Sequence, residues 1–493
     1  MYITEMDLLK AKLEAEGALN ESQLLHDLIL ADKKSEEKRK MDEGERYFRC
    51  EHDILGKNFQ YAKVAESKED GSEELKGFYN PSRSNHHCVN PFHHTLVIQK
   101  AAYLVGREPT IVAQSEDDTF TKMLQAFADE EFNAVLTQWV VGAANKGIEY
   151  LHTYYDQDGA LRYAIVPAEE IIPVYDEGHE RELREVIRYY DISVRENGRE
   201  EVRHKVEWWT DENVTYFTEK GDGMFLKEET KAHWMVTEVV DEEEVTSQPH
   251  GWGRVPFIPL ANNGKQMSDL SLIKGLVDAY DLISSEGTNN LLDLVDLYWV
   301  IQGYGGETAT SIARKLQVNK AVHINDNSGH VEAKQVTLPV EGRLQWLKML
   351  RKDIFHFGMG VDTDTENLGR APSGVALKFQ YAMFYLKINS IMAEIKRAMK
   401  ALIRFQVEAE NRRNGSNWDW RQVQITLNTS GITDDMETME MITTSKGLVS
   451  EKTLLGKHPF VEDVNDEMER VLKERKEAER IDSRREDGGD LHE

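Results

Sequence analysis

Apolar positions recur at three- and four-residue spacing over most of the chain and alternate in one stretch, so helices flank a sheet-forming segment. Residues 1–48 are charge-rich, with Met6, Leu9 and Leu13 and then Leu24, Leu25, Leu28 and Leu30 at helical spacing, which predicts solvated surface helices. Val97, Ala101 and Leu104 continue that spacing until Gly106, with Pro109 just beyond. Residues 118–145 are helical again, carrying Phe127, Phe132, Val135, Leu136, Trp139 and Val140. The period then changes. Tyr150 to Tyr155, the turn Asp156-Gln-Asp-Gly159 and Leu161 to Val166 predict a hairpin, and strand-like stretches follow at 185–194, 201–209, 213–219 and 233–240.

From Ser268 to Tyr298 one long amphipathic helix is predicted, with Ser268 or Asp269 as N-cap. Leu270, Ile273, Leu276, Val277, Tyr280, Ile283, Leu291, Leu294, Val295 and Tyr298 fall on one side, and Asp278, Asp281, Glu286, Asp293 and Asp296 on the other. About 31 residues give a rod of roughly 45 Å. A small strand–helix–strand unit follows: Trp299 to Gln302, a helix near 307–317, Ala321 to Ile324, the turn Asp326-Asn-Ser-Gly329 and Val331 to Thr337. Pro339 opens a helix expected to bury Leu344, Leu347, Leu350, Ile354 and Phe357, with Trp346 read as core, and Gly358-Met-Gly360 stops it. An acidic loop, Val361 to Arg370, leads through Pro372-Ser373-Gly374 into a helix running to about Arg413. That helix carries the basic residues Lys378, Lys387, Lys396, Arg397, Lys400, Arg404, Arg412 and Arg413. A strand over 423–427, small helices at 433–445 and 450–455, and a charged helix at 461–481 complete an α+β, helix-rich reading. The tail from Ser483 has the composition of a disordered segment.

Composition adds limits. The 493 residues include 88 Asp and Glu against 60 Lys and Arg, a net charge of −28, in a chain long enough for about three structural units. The charge argues against a protein that grips nucleic acid through Lys and Arg. No apolar run approaches the roughly 20 residues of a membrane span, and the first residues lack a signal-peptide pattern. Cys50 and Cys88 are the two cysteines, too few for a disulfide framework and in keeping with a reducing compartment.

Motifs for common chemistry are absent. Gly456-Lys457 is followed by His458 and lacks the rest of a phosphate-binding loop, and no H-E-x-x-H, G-x-S-x-G or G-x-G-x-x-G occurs. The best metal candidate is His86-His87-Cys88 with His93-His94, but adjacent histidines point different ways and no second half completes a fixed geometry. The expectation is no catalytic site, no metal and no cofactor. The rival reading is a metal-dependent enzyme built on the His86–His94 cluster.

The order long helix, compact mixed unit, second helix, acidic loop, Ser-Gly-Val-Ala-Leu-Lys, long helix resembles the portal (head–tail connector) proteins of tailed double-stranded-DNA bacteriophages, the siphophage type above all. The matching residues are Tyr47-Phe-Arg-Cys-Glu-His-Asp-Ile-Leu55, Ile98-Gln-Lys-Ala-Ala-Tyr-Leu-Val-Gly106 with Pro109, and Val166-Pro-Ala-Glu-Glu-Ile-Ile-Pro-Val-Tyr175. They continue with Ser268-Asp-Leu, Leu276-Val-Asp-Ala-Tyr280, Ser373-Gly-Val-Ala-Leu-Lys378 and Ser450-Glu-Lys-Thr-Leu-Leu455. The resemblance implies a non-enzymatic ring of about twelve subunits that forms the DNA channel at one capsid vertex and serves packaging, head–tail joining and DNA exit. It divides the chain into an α/β wing (1–262 and 374–428), stem helices (263–298 and 339–358), a small α/β clip (299–338), a tunnel loop (359–373), a helical crown (429–480) and a disordered tail (481–493). Implied partners are double-stranded DNA, the terminase large subunit, a head-completion or adaptor protein, scaffold and the major capsid protein, with no membrane. Assembly is expected in the host cytoplasm and residence in the virion. Another virion structural protein, adaptor or minor capsid, is the second rival.

In that frame Val361, Asp362, Thr363, Asp364, Thr365, Glu366 and Asn367 form the tunnel loop facing DNA, and Asp326, Asn327, Ser328 and Gly329 form the clip's docking surface. Candidate channel-lining residues of the stem are Asp278, Asp281, Asp293, Asp296, Lys348 and Lys352. About twelve helices of roughly 10 Å diameter, side by side, leave an opening near 28 Å, enough for duplex DNA with a water layer. A carboxylate-rich lumen then repels the duplex weakly from all sides rather than holding it at one position.

Overall fold

The computed structural model describes residues 21–67, 73–81, 83–114, 117–175, 183–196, 199–220, 223–239, 245–293, 298–302, 330–334, 340–363, 374–429, 441–456 and scattered positions to 474. Two compact units result, residues 1–369 with 380–428 and residues 370–379 with 429–493.

In the first unit, α1 (Glu21–Lys33) and α2 (Glu36–Phe48) are separated by Ser35, whose side chain caps α2 by accepting from the Lys38 N–H. The expectation that this region is only a solvated surface needs correcting. Leu24, Leu25, Leu28 and Ile29 are buried against Val174, Ile187, Val206, Phe217 and Phe225, while Leu30 is exposed. The antiparallel ribbon of β1 (Tyr61–Ser67) and β2 (Glu73–Tyr79) has no counterpart in the sequence reading. Helix α3 (Phe92–Val105) ends at Gly106 as expected and is followed by β3 (Thr110–Ala113). The helical stretch over 118–145 is two helices, α4 (Asp118–Phe127) and α5 (Glu130–Lys146). Asp117 and Asp129 each cap a new helix by accepting from the N–H of Thr119 and Phe132. At the end of α5, Gly147 has φ +94°, and a Cβ there would lie 2.1 Å from the Gln266 carbonyl oxygen, so only glycine fits.

The hairpin is present as β4 (Ile148–Tyr155) and β5 (Leu161–Val166), its turn held by Asp156 Oδ1 accepting from the N–H of Asp158 and Ala160. Strands β6 (Ile171–Tyr175), β7 (Leu183–Glu196), β8 (Arg199–Trp209), β9 (Asn213–Lys220) and β10 (Met224–Ala232) form an antiparallel sheet in the order β10-β9-β8-β7-β6. After it, β11 (Trp234–Val239) pairs with β12 (Val245–His250), and β13 (Phe257–Ala261) pairs with β4.

The rod is shorter than its apolar spacing predicts. Ser268 caps a single 3-10 turn over Asp269–Leu272, α6 runs from Lys274 to Leu292, and Tyr298 opens a strand, β14 (Tyr298–Gln302). At 1.5 Å per residue α6 is about 28 Å long. Strand β14 pairs with β15 (His330–Lys334). The helix expected near 307–317, the strand at 321–324 and the turn Asp326-Asn327-Ser328-Gly329 lie outside the described residues.

Helix α7 (Val340–Phe357) packs against α6 and buries Leu350 and Ile354 as expected, but Leu344, Trp346 and Phe357 are 44%, 57% and 52% exposed, not core. Its end is a Schellman motif with Met359 at φ +51°. The Gly360 N–H reaches the Phe355 carbonyl at 2.9 Å and the Met359 N–H the His356 carbonyl at 3.2 Å.

Helix α8 (Gly374–Asn414) has 41 residues, about 61 Å of helix. Phe384, Ile388, Ile391, Ile395, Met399, Leu402 and Ile403 enter the main core with Leu104, Leu136 and Trp139. The strand β16 (Val423–Thr426) pairs with β3, and Trp418 braces this edge by stacking on Phe120 and donating to Asp117 at 2.9 Å. In the second unit α9 (Glu451–Leu455) begins at its cap Ser450. The helices expected at 433–445 and 461–481 lie largely, and the tail at 481–493 wholly, outside the described residues. No described helix is long and apolar enough to cross a membrane.

Candidate functional site

The carboxylates of α6, expected together on a solvent face, separate by role. Asp281 is fully buried: one oxygen lies 2.5 Å from His52 Nδ1, and the other accepts from the Asn90 N–H at 2.9 Å and the Asn90 side chain at 2.8 Å. Asp281 is enclosed within the protomer and does not line a channel. One turn on, Ser285 accepts from the Cys88 N–H at 2.9 Å, and Asn289 takes the His86 N–H at 2.8 Å while donating to the His86 carbonyl at 2.9 Å. Asp293 accepts from the Ser84 N–H at 2.8 Å. Positions 281, 285, 289 and 293 thus form an i, i+4 stripe that satisfies the backbone of the extended segment 84–90, which has no ladder of its own. Ser285 and Asn289 were missed in the sequence, where small neutral side chains on a helix carry no charge signal. Asp278 accepts from Lys274 at 2.9 Å and from the Tyr47 hydroxyl, with its side chain 38% exposed. Lys348 and Lys352 are exposed on α7, and Asp296 lies outside the described residues.

The histidine side chains of the 86–94 stretch are placed differently from one another. His87 Nε2 donates to the Lys57 carbonyl at 2.6 Å, His94 Nδ1 donates to the Phe48 carbonyl at 3.0 Å, and His93 is buried. Burial pushes the His93 imidazole down to about 4. Among the described residues no three His, Cys, Asp or Glu side chains gather in a way that would hold a metal ion.

The acidic loop leaves the end of α7 through a root gripped by several elements. Arg351 on α7 holds both oxygens of Asp362, at 2.8 and 3.1 Å. Gln99 on α3 bonds both backbone groups of Val361, each at 2.9 Å. Lys387 on α8 donates to the Gly358 carbonyl at 2.9 Å and lies 2.9 Å from Asp269. Asp362 is therefore charge-paired inside the protomer, and Thr363 is exposed. Asp364, Thr365, Glu366 and Asn367 lie outside the described residues.

Beneath the root is a buried charge cluster. Lys100 approaches Asp269 at 3.2 Å and also donates to Asn262, and burial pushes its amine down to about 8. Burial alone would raise the Asp269 carboxyl, but Lys100 and Lys387 hold it well below the usual carboxylate range. Other basic residues of α8 also find partners in the protomer. Arg397 pairs with Glu394, Arg404 reaches Glu408 at 3.0 Å, and Arg412 lies over the rings of Trp234 and Trp252. By contrast Leu344, Trp346, Met349 and Phe357 on α7 are open to solvent, and Trp346 lines a groove of about 280 Å³ with Ile283, Glu286 and Arg343.

Comparison with known proteins supplies the context for these elements. A family model described as "Phage portal protein, SPP1 Gp6-like" matches residues 27–480. The portal protein of Bacillus phage SPP1 is 29% identical over 444 residues, covering 87% of this chain and 82% of the relative. The portal protein of Clostridium phage phiCD119 is 29% identical over 419 residues, covering 80% of this chain and 87% of the relative. A solved structure titled "Neck of native GTA particle computed with C12 symmetry" contains a chain that is 12% identical, with a TM-score of 0.39, covering 75% of this chain and 90% of its own length. With a family match running from within α1 to well beyond α9, this chain belongs to the SPP1 Gp6-like family of phage portal proteins.

Proposed function

We propose that this protein is a non-enzymatic portal. About twelve copies close into a ring at one capsid vertex and form the channel through which double-stranded DNA enters, is retained with the help of head-completion proteins, and leaves. The family match over residues 27–480 carries this reading. In it, residues 1–262 and 374–428 make the wing, α6 and α7 the stem, 299–338 the clip, 359–373 the tunnel loop and 429–480 the crown. The clip, with Asp326 to Gly329, meets the terminase large subunit during packaging and the adaptor afterwards; scaffold and major capsid protein surround the wing.

Two features support this reading, one for ring closure and one for DNA transport. The apolar residues Leu344, Trp346, Met349 and Phe357 on α7 are costly to leave in water and have the character of a face covered by a neighbouring copy. A net charge of −28 suits a channel through which a polyanion slides, because each phosphate neutralised would add affinity and oppose transport. A metal-dependent enzyme at His86–His94 is not favoured, since His87 and His94 hold backbone carbonyls of other segments. Negative-stain images of the purified protein test the proposal: turbine-shaped rings with a central hole support it, and isolated monomers or closed shells contradict it.

A further inference from the structure

Gln99 and Val361 are 262 residues apart in sequence, yet the Gln99 side chain meets the Val361 backbone twice. Its Nε2 donates to the carbonyl and its Oε1 accepts from the N–H, each at 2.9 Å. A primary amide presents the same donor–acceptor edge as a peptide group, so the contact works as a single rung of sheet pairing offered by a side chain. Two bonds fix both the position of Val361 and the rotation of its peptide planes, whereas one bond fixes only a distance.

The neighbours of Val361 are held as closely. The Val361 side chain is buried in the main core with residues of α5 and α8. A Cβ on Gly360 would lie 2.0 Å from Leu96 Cδ2, so the root is pressed onto α3. Lys387 takes the Gly358 carbonyl, and Arg351 takes Asp362. These supports differ in kind. The Arg351 and Asp362 side chains are 38% and 15% exposed, so salt weakens their pairing, while the neutral Gln99 clamp is indifferent to it.

We propose that Gln99 is a positioning residue of the DNA channel, fixing where and in which direction the chain leaves α7 for the acidic segment. This rests on the portal reading above. Duplex DNA carries about one charge per 1.7 Å of axis, so passing DNA pushes against carboxylates placed beside it. That push is transmitted to the root. A clamp on the backbone resists it at every ionic strength and fixes the same point of exit from α7 in each copy.

Hydrogen exchange on assembled rings, combined with a count of DNA-filled heads, tests this. Gln99→Met keeps the shape of the side chain and removes both hydrogen bonds. Gln99→Glu keeps the acceptor for the Val361 N–H and sets a carboxylate against the Val361 carbonyl. In Gln99→Met, exchange in a peptide covering 358–363 is expected to rise about tenfold, with α7 peptides, ring formation and the thermal midpoint as in the wild type. Filled heads should fall several-fold, with Gln99→Glu between the two. Wild-type exchange at the root in either variant overturns the clamp, and faster exchange with a normal count of filled heads overturns its role in the channel. If Gln99→Met fails to assemble, Gln99→Glu decides by the same criteria. Wild-type protein that forms no rings would instead overturn the portal reading, whatever the exchange at Val361.

Discussion

His52 Nδ1 and a carboxylate oxygen of Asp281 lie 2.5 Å apart, and neither side chain has any exposed surface. The pair joins the segment after α2 to the middle of α6, and Asn90 supplies the remaining donors to the carboxylate. Removing one partner of such a buried hydrogen-bonded pair costs about 1–3 kcal/mol, because the other is left desolvated and unmatched. Asp281→Ala also strips Asn90 of its acceptor and should therefore lower the unfolding free energy by about 2 kcal/mol or more. Asp281→Asn should cost less, since its oxygen still accepts from Asn90. Denaturant midpoints of the two variants check this, and a wild-type midpoint in Asp281→Ala contradicts it.

Acid should weaken the fold through its buried histidines. Burial pushes His93 down to about 4 and His152 down to about 3, against about 6.5 in an unfolded chain. Between those values the unfolded chain binds protons that the folded one refuses. The stabilisation is thus complete above about pH 6.5 and is lost progressively as pH falls toward 4. His152 packs its ring against Phe257 and Trp209, with centroids 4.6 and 4.7 Å away. His152→Phe should flatten the fall in melting temperature between pH 6.5 and 4.5; an unchanged slope would argue against the assignment.

Trp346 should matter to the ring and little to the protomer. It is 57% exposed, so Trp346→Ala should change protomer stability by no more than about 0.5 kcal/mol. Loss of a large aromatic from an interface costs about 2 kcal/mol or more, which shifts dissociation by at least about thirtyfold. Light scattering across a dilution series reads this directly. Rings as durable as the wild type would show that this face of α7 is not covered by a neighbour.

The pairing of Asp362 with Arg351 changes which charges make a clean test of the lumen. Reversing Asp362 would break the loop root as well as alter the channel. Asp364→Lys with Glu366→Lys leaves that pair in place. The double variant should still form rings but package less DNA, because added cations bind phosphate and retard sliding. Equal yields of filled heads would remove the acidic loop from the account.

Much of the fold was legible in the sequence, and the exceptions have physical causes. The ends of α3 and α7, the hairpin turn at Asp156 and the cap at Ser268 were readable because Gly, Asx and Ser act through local geometry. The break at Asp129 was missed although the apolar stripe shifts there: Phe127 and Phe132 are five residues apart, about 140° around a helix, and Asp129 between them is a capping residue. The rod was overextended past Leu292 because Leu294, Val295 and Tyr298 keep the helical spacing while Tyr298 pairs as a strand. The site was less legible. Carboxylates on one helix face carry the same sequence signal whether they meet water, as Asp278 partly does, or a backbone 191 residues away, as Asp281 does. Leu344, Trp346 and Phe357 read as core but are exposed in the single chain, because apolar spacing on a helix marks a face without saying what covers it.

Closure of many copies about an axis is the claim on which the rest depends, and absolute molar mass measured by light scattering on the purified chain tests it most directly. The account predicts a monodisperse species of about twelve times the 56.7 kDa subunit mass, unchanged on moderate dilution. A single species at 56.7 kDa across the whole concentration range would contradict it.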